Sequence, residues 1–187
     1  IFARLLAEKN GDTISTAANT KFADIPAHAW YSGYVKYLSN NGITYGKSKT
    51  IFAPNDAITR AEFTTMAVRF FDVYGDGDAE IMEQFSGFND VSSGYWAAEY
   101  IKYAALHGWI NGYGDGSFHA DREINRAEVV TIVNRLLGRE ADEDYIADNL
   151  RKLNTFPDVS RKHWAYYAVM EAANAHTAVL GLSLIHI

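Results

Sequence analysis

The chain has 187 residues, 48% of them hydrophobic, and a formal net charge of −6 at pH 7. The hydrophobic content suffices for a packed core, whereas the acidic balance argues against general nucleic-acid binding. Cysteine is absent, which excludes disulfides and thiolate metal sites. No apolar run is long enough to cross a membrane, so membrane insertion is not expected.

The sequence repeats itself at an interval of 66 residues, as between Trp30 and Trp96. A period of this kind predicts a tandem array in which each copy is one small structural unit. The positions that recur, given in the first copy, are Phe22, Asp24, Trp30, Gly42, Gly46, Phe52, Ile58, Arg60, Glu62 and Arg69.

These matches divide the chain into four parts. Residues 1–20 resemble the end of a second helix from an earlier copy, followed by a polar linker. Residues 21–86 and 87–155 are two complete copies, each ending in an acidic linker that we expect to be a solvated connector. Residues 156–187 begin a third, truncated copy.

The third copy departs from the pattern. No glycine stands at the expected helix end, His176, and no Arg-Ala-Glu segment follows. The last six residues, 182–187, match what a common sequencing adapter would encode. We therefore expect the true reading frame to end near Leu180 or earlier, and the fold predictions leave the tail out.

Each complete copy is predicted to contain two helices separated by a glycine-bearing loop. The first helix should cover residues 28–39 and 95–106, ending at Gly42 and Gly108 in the left-handed conformation. The second helix should begin after Thr59 and Asn125, because each N-cap residue is followed three positions later by a glutamate in a capping-box pattern.

Two arginines are the first candidate functional residues. Arg60 and Arg126 occupy the first turn of the second helices, where a cation opposes the helix dipole at a cost of about 0.3–1 kcal/mol. A guanidinium beside free helix amides suits an anion. The alternative is a structural arginine that pairs with a carboxylate across a repeat interface.

The other recurring residues favour structural roles on sequence grounds. Trp30, Trp96 and Trp164 could stack on a flat ligand face, but their place in an apolar stripe favours core packing. Asp24, Asp90 and Asp158 are expected to fasten the opening turn through backbone amides. Gly46 and Gly112 are expected to serve loop conformation, with close ligand approach as the lesser alternative.

No signal for catalysis, a metal or a cofactor emerges. Residues 111–122 suggest a calcium loop, but Tyr113 and Arg122 stand where oxygen ligands would be needed. The histidines show no paired ligand spacing, and neither a nucleophile elbow nor a phosphate-binding loop occurs.

The combined motifs resemble S-layer homology domains. The resemblance rests on Phe-x-Asp before a His/Tyr-Trp helix, the spaced loop glycines, Gly-Ser-Phe, and Ile-Thr-Arg-Ala-Glu at 58–62. It covers residues 22–71 and 88–138 fully, and residues 1–6 and 156–176 in part. It implies a mainly α fold with little or no strand, in which helix-loop-helix copies pack around a pseudo-threefold axis.

The resemblance also implies a function. Such domains anchor exported proteins non-covalently to the cell wall or S-layer, by binding a secondary cell-wall polymer that often carries pyruvate ketals. The ligand lies in grooves between copies and is contacted by the motif arginine, a role that falls by position on Arg60 and Arg126. The full set of candidate binding residues is Arg60, Arg126, Glu62, Glu128, Trp30, Trp96, Gly46 and Gly112. The alternatives are a protein–protein or self-assembly module, or the remnant of an exported hydrolase.

The repeat also predicts a shared core, because each copy has too few apolar residues to bury its own faces. The residues expected to be largely buried are Trp30, Tyr34, Met66, Phe70, Trp96, Tyr100, Ile132 and Leu136.

Overall fold

The computed structural model describes residues 1–75 and 85–174, and these residues form seven α-helices. Extended structure within them is confined to one isolated bridge between Thr59 and Glu123, so the predicted mainly α fold is confirmed. The helices are α1 (Phe2–Asn10), α2 (Ser32–Asn40), α3 (Arg60–Tyr74), α4 (Ala98–Leu106), α5 (Arg126–Leu136), α6 (Glu143–Asn149) and α7 (Tyr166–Ala173).

The second helices begin where the sequence predicts. Thr59 caps α3 by accepting a hydrogen bond from the Glu62 amide, and the Glu62 carboxylate accepts one from the Thr59 amide. Asn125 and Glu128 form the same reciprocal pair at the start of α5. Both capping boxes satisfy amides that a helix start would otherwise leave without partners.

The first helices of the copies begin later than predicted. Tight turns occupy the residues before α2, in which the Ala29 amide donates to Pro26 and the Ser32 amide donates to Ala29. Trp30 therefore lies in a turn two residues before the helix, and Trp96 and Trp164 hold the same place before α4 and α7. The glycine ends are as expected, with φ of 73° at Gly42 and 68° at Gly108.

Neighbouring copies interlock through their helices. Each second helix packs on the first helix of the next copy: α1 on α2, α3 on α4, and α5 on α7. The second helices α1, α3 and α5 also contribute to one continuous core, as copies around a common axis would. The central side chains of that core include Leu6, Phe70, Ile101, Phe118 and Val133.

The expected core residues divide into three groups. Phe70, Ile132 and Leu136 are buried, as predicted, whereas Tyr34, Met66 and Tyr100 are only partly buried. Trp30 and Trp96 are 73% and 57% exposed, so their predicted burial is wrong. The helical periodicity does not apply to these two residues because the chain has not yet entered the helix at their positions.

The acidic segment after the second copy is not simply a solvated connector. Residues 143–149 form α6, with Asp142 as its N-cap and two acidic residues in its first turn, which suits the helix dipole. Ile146 is buried against Tyr166 and Met170 of α7. Residues 76–84 of the first acidic linker, the expected helix end at His176 and the tail at 182–187 lie outside the described residues.

Candidate functional site

Two equivalent grooves lie between successive copies. The first groove is a cavity of about 430 Å³ that is formed by the 44–58 loop, α3 and Trp96 of the second copy. The second groove, of about 690 Å³, is formed by the 109–125 segment, α5 and Trp164 of the third copy. Most lining positions correspond at the repeat interval, so the repeat that builds the fold also builds the grooves.

The exposed tryptophans form one wall of each groove. Trp96 lines the first groove and Trp164, which is 64% exposed, lines the second. Trp30 lines a comparable pocket beside α1, together with Arg4. Large apolar rings that face a concave polar surface are suited to stacking on a flat ligand face. The structure thus favours the ligand-facing alternative that the sequence ranked second.

A second set of arginines lines the same grooves as the tryptophans, and sequence reasoning missed it as a functional set. Arg69 lines the first groove and Arg135 the second. The Arg69 guanidinium lies 4.6 Å from the Tyr45 ring centroid and 4.9 Å from that of Tyr100. Arg135 Nη1 lies 3.2 Å from the terminal amide of Asn111, whose oxygen accepts from it in the amide orientation that satisfies the neighbouring groups. The available signal was their recurrence at the 66-residue interval.

Arg60 is buried at the interface between the two complete copies. Its Nη1 donates to Glu128 Oε1 at 2.7 Å, and its Nε and Nη2 donate to the carbonyls of Phe118 (2.9 Å) and Asn111 (3.1 Å). Its amide and that of Ala61 donate to loop carbonyls of the second copy, so this helix start offers neither free amide to an anion. These contacts match the structural interpretation of Arg60, although its side chain also borders the second groove.

Arg126 has a different environment. It is exposed, and among residues 1–75 and 85–174 no hydrogen bond or ion pair of its side chain occurs. The equivalent of the second-copy loop that surrounds Arg60 would fall in the third copy, beyond the described residues. The two matching motifs therefore provide one buried arginine and one exposed arginine.

The capping-box glutamates have a second role in the grooves. Glu62 forms an ion pair with Lys47 in the first groove, and Glu128 forms ion pairs with Arg60 and Arg122 in the second. Each carboxylate thereby ties the helix start to the loop that forms the opposite wall.

The loop glycines lie where the loop passes an aromatic ring. Gly46 has φ of 77°, which glycine adopts without strain, and a Cβ there would lie 2.6 Å from the Ile51 carbonyl oxygen. Gly112 has no positive φ, but a Cβ there would lie 2.6 Å from the Ser117 carbonyl oxygen. Both glycines therefore serve close packing of the groove floor, and at Gly46 also backbone conformation.

The recurring aspartates fix the far end of each loop. Asp24 accepts hydrogen bonds from the Phe52 and Ala53 amides, and Asp90 accepts them from the Phe118 and His119 amides. Ala53 and His119 have φ of 61° and 54°, an uncommon conformation for residues other than glycine. The aspartates thus bind backbone amides as predicted, but those of the distant loop.

The acidic groups that hold the grooves together have lowered pKa values. Burial would raise the pKa of the Glu128 carboxyl, but the Asn125 amide, the charges of Arg60 and Arg122 and the Tyr113 hydroxyl together lower it. Burial likewise opposes the lowering at Asp90, where the amides of the bound loop prevail.

These lowered values predict a loss of stability in acid. A carboxyl with a lowered folded-state pKa stabilises the fold above its unfolded-state value, about 4.5 for glutamate, and this contribution disappears as pH falls through the folded-state value. Urea denaturation between pH 7 and pH 3 should therefore show a falling free energy of unfolding below about pH 4.5.

A pair of variants tests the source of this effect. Glu128→Gln should be less stable than the wild type at pH 7 and should lose less stability on acidification. Glu99→Gln, on the exposed surface of α4, should keep the wild-type pH profile. Equal profiles for Glu128→Gln and the wild type would contradict the assignment to Glu128.

The described residues contain no group of three or more histidine, aspartate or glutamate side chains placed to hold a metal ion. Within the same residues, no helix combines the length and the hydropathy needed to cross a lipid bilayer.

Comparison with known proteins identifies the repeat. The family model of the S-layer homology domain matches residues 21–64 and 87–130, one match in each complete copy. The chain is 31% identical to cell surface glycoprotein 1 of Acetivibrio thermocellus over 96% of its own length. It is 29% identical to the cellulosome-anchoring protein of the same organism over 95% of its length.

The relatives are much longer than this chain. The chain spans 8% of cell surface glycoprotein 1 and 37% of the cellulosome-anchoring protein. An amylopullulanase of Thermoanaerobacterium thermosulfurigenes is 32% identical over 77% of the chain, which spans 7% of that enzyme. The two family matches coincide with the copies whose loops and capped helices form the grooves, and the chain therefore belongs to the S-layer homology domain family of cell-surface proteins.

Proposed function

We propose that the chain anchors a larger exported protein to the bacterial cell wall by holding a secondary cell-wall polymer in the grooves between copies. The observation that carries the proposal is that each groove is lined by both an exposed tryptophan and an arginine, Trp96 with Arg69 and Trp164 with Arg135. An aromatic ring can receive a sugar face while a guanidinium receives a carboxylate. The family membership supports attachment at the cell surface.

The ligand class that fits best is a glycan with a carboxylate, such as a pyruvate ketal. Each groove offers a guanidinium, which can donate to sugar hydroxyls or to a carboxylate, and its planar fork matches a carboxylate better than an ammonium does. The proposed contacts are Arg135 and Trp164 in the second groove and Arg69 and Trp96 in the first, with Trp30 in the corresponding pocket beside α1. Gly46 and Gly112 support the site by letting the loop pack closely against the Phe22 and Phe88 rings.

The motif arginines and glutamates take supporting roles in this proposal. Arg60 holds Glu128, and Glu128 in turn holds Arg122 at the groove wall. Glu62 does the same for Lys47. Arg126, whose side chain has no polar partner within residues 1–75 and 85–174, is available for an equivalent contact with a third copy or with the polymer itself. The segment itself needs no catalytic group for this function, and a relative named as an enzyme, the amylopullulanase, contains a similar segment.

The proposal is tested by co-sedimentation with purified cell-wall sacculi. The protein should sediment with intact sacculi and stay in solution after the secondary polymer is stripped from them. Undiminished sedimentation with stripped sacculi would contradict the proposal and indicate peptidoglycan or protein as the partner.

The arginine contact is tested by Arg135→Ala. A hydrogen bond to a charged group contributes roughly 1.5–3 kcal/mol, so affinity for the polymer should fall about tenfold to hundredfold. Lys102→Ala, on the exposed surface of α4 and outside both grooves, is the matched control and should bind as the wild type does. A folded Arg135→Ala variant with wild-type affinity would exclude Arg135 from the site.

A further inference from the structure

We propose that the two grooves bind different sugars of the same polymer, and that the residues at positions 56 and 122 decide which. The second groove, with Arg122, takes the carboxylate-bearing sugar. The first groove, with Asp56, takes an uncharged sugar. This inference rests on the proposed function and adds the specificity of each groove.

Asp56 and Arg122 are equivalent residues of opposite charge. They are separated by the repeat interval of 66 residues, and each lines its own groove. Most other differences between the grooves exchange neutral side chains or alter size, whereas this one changes the local charge by two units. Electrostatic complementarity of this kind selects between ligands that have the same shape.

The remaining ionisable residues preserve the contrast. The second groove is lined by Arg60, Arg122 and Arg135 against the single carboxylate of Glu128, with His119 at its edge. Counting His119 as neutral, its lining carries a net charge of +2. Arg60 is buried, so the guanidinium groups that a bound carboxylate would meet there are the exposed ones of Arg122 and Arg135.

The first groove is balanced. Lys47 and Arg69 are matched by Asp56 and Glu62, which gives a net charge of zero. Lys47 is already paired with Glu62, and the Arg69 guanidinium donates to the Tyr100 hydroxyl from Nε and Nη2 at 3.3 and 3.2 Å. A carboxylate would meet an exposed Asp56, whereas the ring of Trp96 remains available to an uncharged sugar.

Arg122 is held in position to act on a ligand. Its Nη2 donates to the Tyr113 hydroxyl at 2.6 Å and also to Glu128. The side chain is nevertheless 39% exposed, so part of the guanidinium faces the groove. Tyr113 occupies the position that Lys47 has in the first copy. The two loops therefore differ at the charged residue, Asp56 or Arg122, and also at the position whose side chain holds Arg122 in the second groove.

The experiment uses the whole chain and two probes that differ in charge and by one methyl group. The probes are a methyl hexoside with a pyruvate ketal as the free carboxylate and the same compound as its methyl ester. Indole N–H resonances, assigned with Trp96→Phe and Trp164→Phe, report which groove each probe occupies. The carboxylate should shift the Trp164 resonance first, and the ester should shift Trp96 at least as readily.

Two charge-reversing variants complete the test. Asp56→Arg changes an exposed residue and should leave the fold intact. In this variant the carboxylate should shift the Trp96 resonance at a concentration about tenfold lower than in the wild type. Arg122→Asp should weaken the effect of the carboxylate on Trp164 about tenfold or more and spare the ester. If Arg122→Asp does not fold, Arg122→Gln replaces it. This variant adds no charge and should also weaken the effect of the carboxylate on the Trp164 resonance.

The outcomes separate the two proposals. Failure of the wild type to bind polymer or either probe would overturn the proposed function. If the wild type binds but the carboxylate shifts both tryptophans at the same concentration, or Asp56→Arg does not tighten its binding at Trp96, the groove assignment is wrong and the anchoring proposal stands.

Discussion

Replacing Arg60 with Ala should lower the free energy of unfolding by about 3 kcal/mol, because it leaves a buried carboxylate with one cation fewer. The Arg60 side chain is 7% exposed and that of Glu128 is 10% exposed, so water cannot readily take the place of the guanidinium. The carbonyls of Phe118 and Asn111 would also lose their donors. Arg122 remains beside Glu128, which keeps the loss at the lower end of the range for broken buried pairs.

Arg126→Ala is the matched control, since it changes the same position of the same motif in the next copy. Arg126 is exposed and has no polar partner among the described residues, so its removal should change the free energy of unfolding by no more than about 0.5 kcal/mol. Urea denaturation followed by circular dichroism measures both variants. Similar stabilities for the two would show that the Arg60 ion pair contributes nothing to the fold.

Replacing Phe70 with Ala should destabilise both complete copies together by about 3–5 kcal/mol, the usual cost of truncating a buried aromatic ring. Phe70 is fully buried in α3, and its ring stacks at 4.6 Å on Phe2 and at 4.7 Å on Tyr74. The same core includes Trp109 of the second copy. Because the core is shared, the loss of stability caused in the first copy should also lower the stability of the second copy.

Trp109 allows this transmission to be measured. With the three exposed tryptophans, Trp30, Trp96 and Trp164, changed to Phe, the fluorescence of Trp109 should follow the same lowered urea midpoint as circular dichroism. Val73→Ala, at an exposed position of the same helix, should leave the midpoint almost unchanged. An unchanged Trp109 midpoint in the Phe70→Ala variant would mean that the copies unfold independently.

The sequence by itself determined the repeat, the family and the start of each second helix. Capping boxes at Thr59 and Asn125 are local patterns of four residues, because the N-cap side chain and the glutamate at N3 each reach an amide of the same turn. The left-handed glycines at 42 and 108 are equally local. Such signals are readable without knowledge of the neighbouring copies.

Only the tertiary structure decided which of the equivalent residues are buried and which face a groove. Arg60 and Arg126 share one motif, yet Arg60 contacts the loop and the α5 start of the next copy, up to 68 residues away, whereas Arg126 lies in solvent. Trp30 and Trp96 fit an apolar stripe in sequence but precede their helices in the fold. Burial depends on which neighbouring copy covers a residue, and a repeating sequence presents the same residue types whether or not that neighbour is in place.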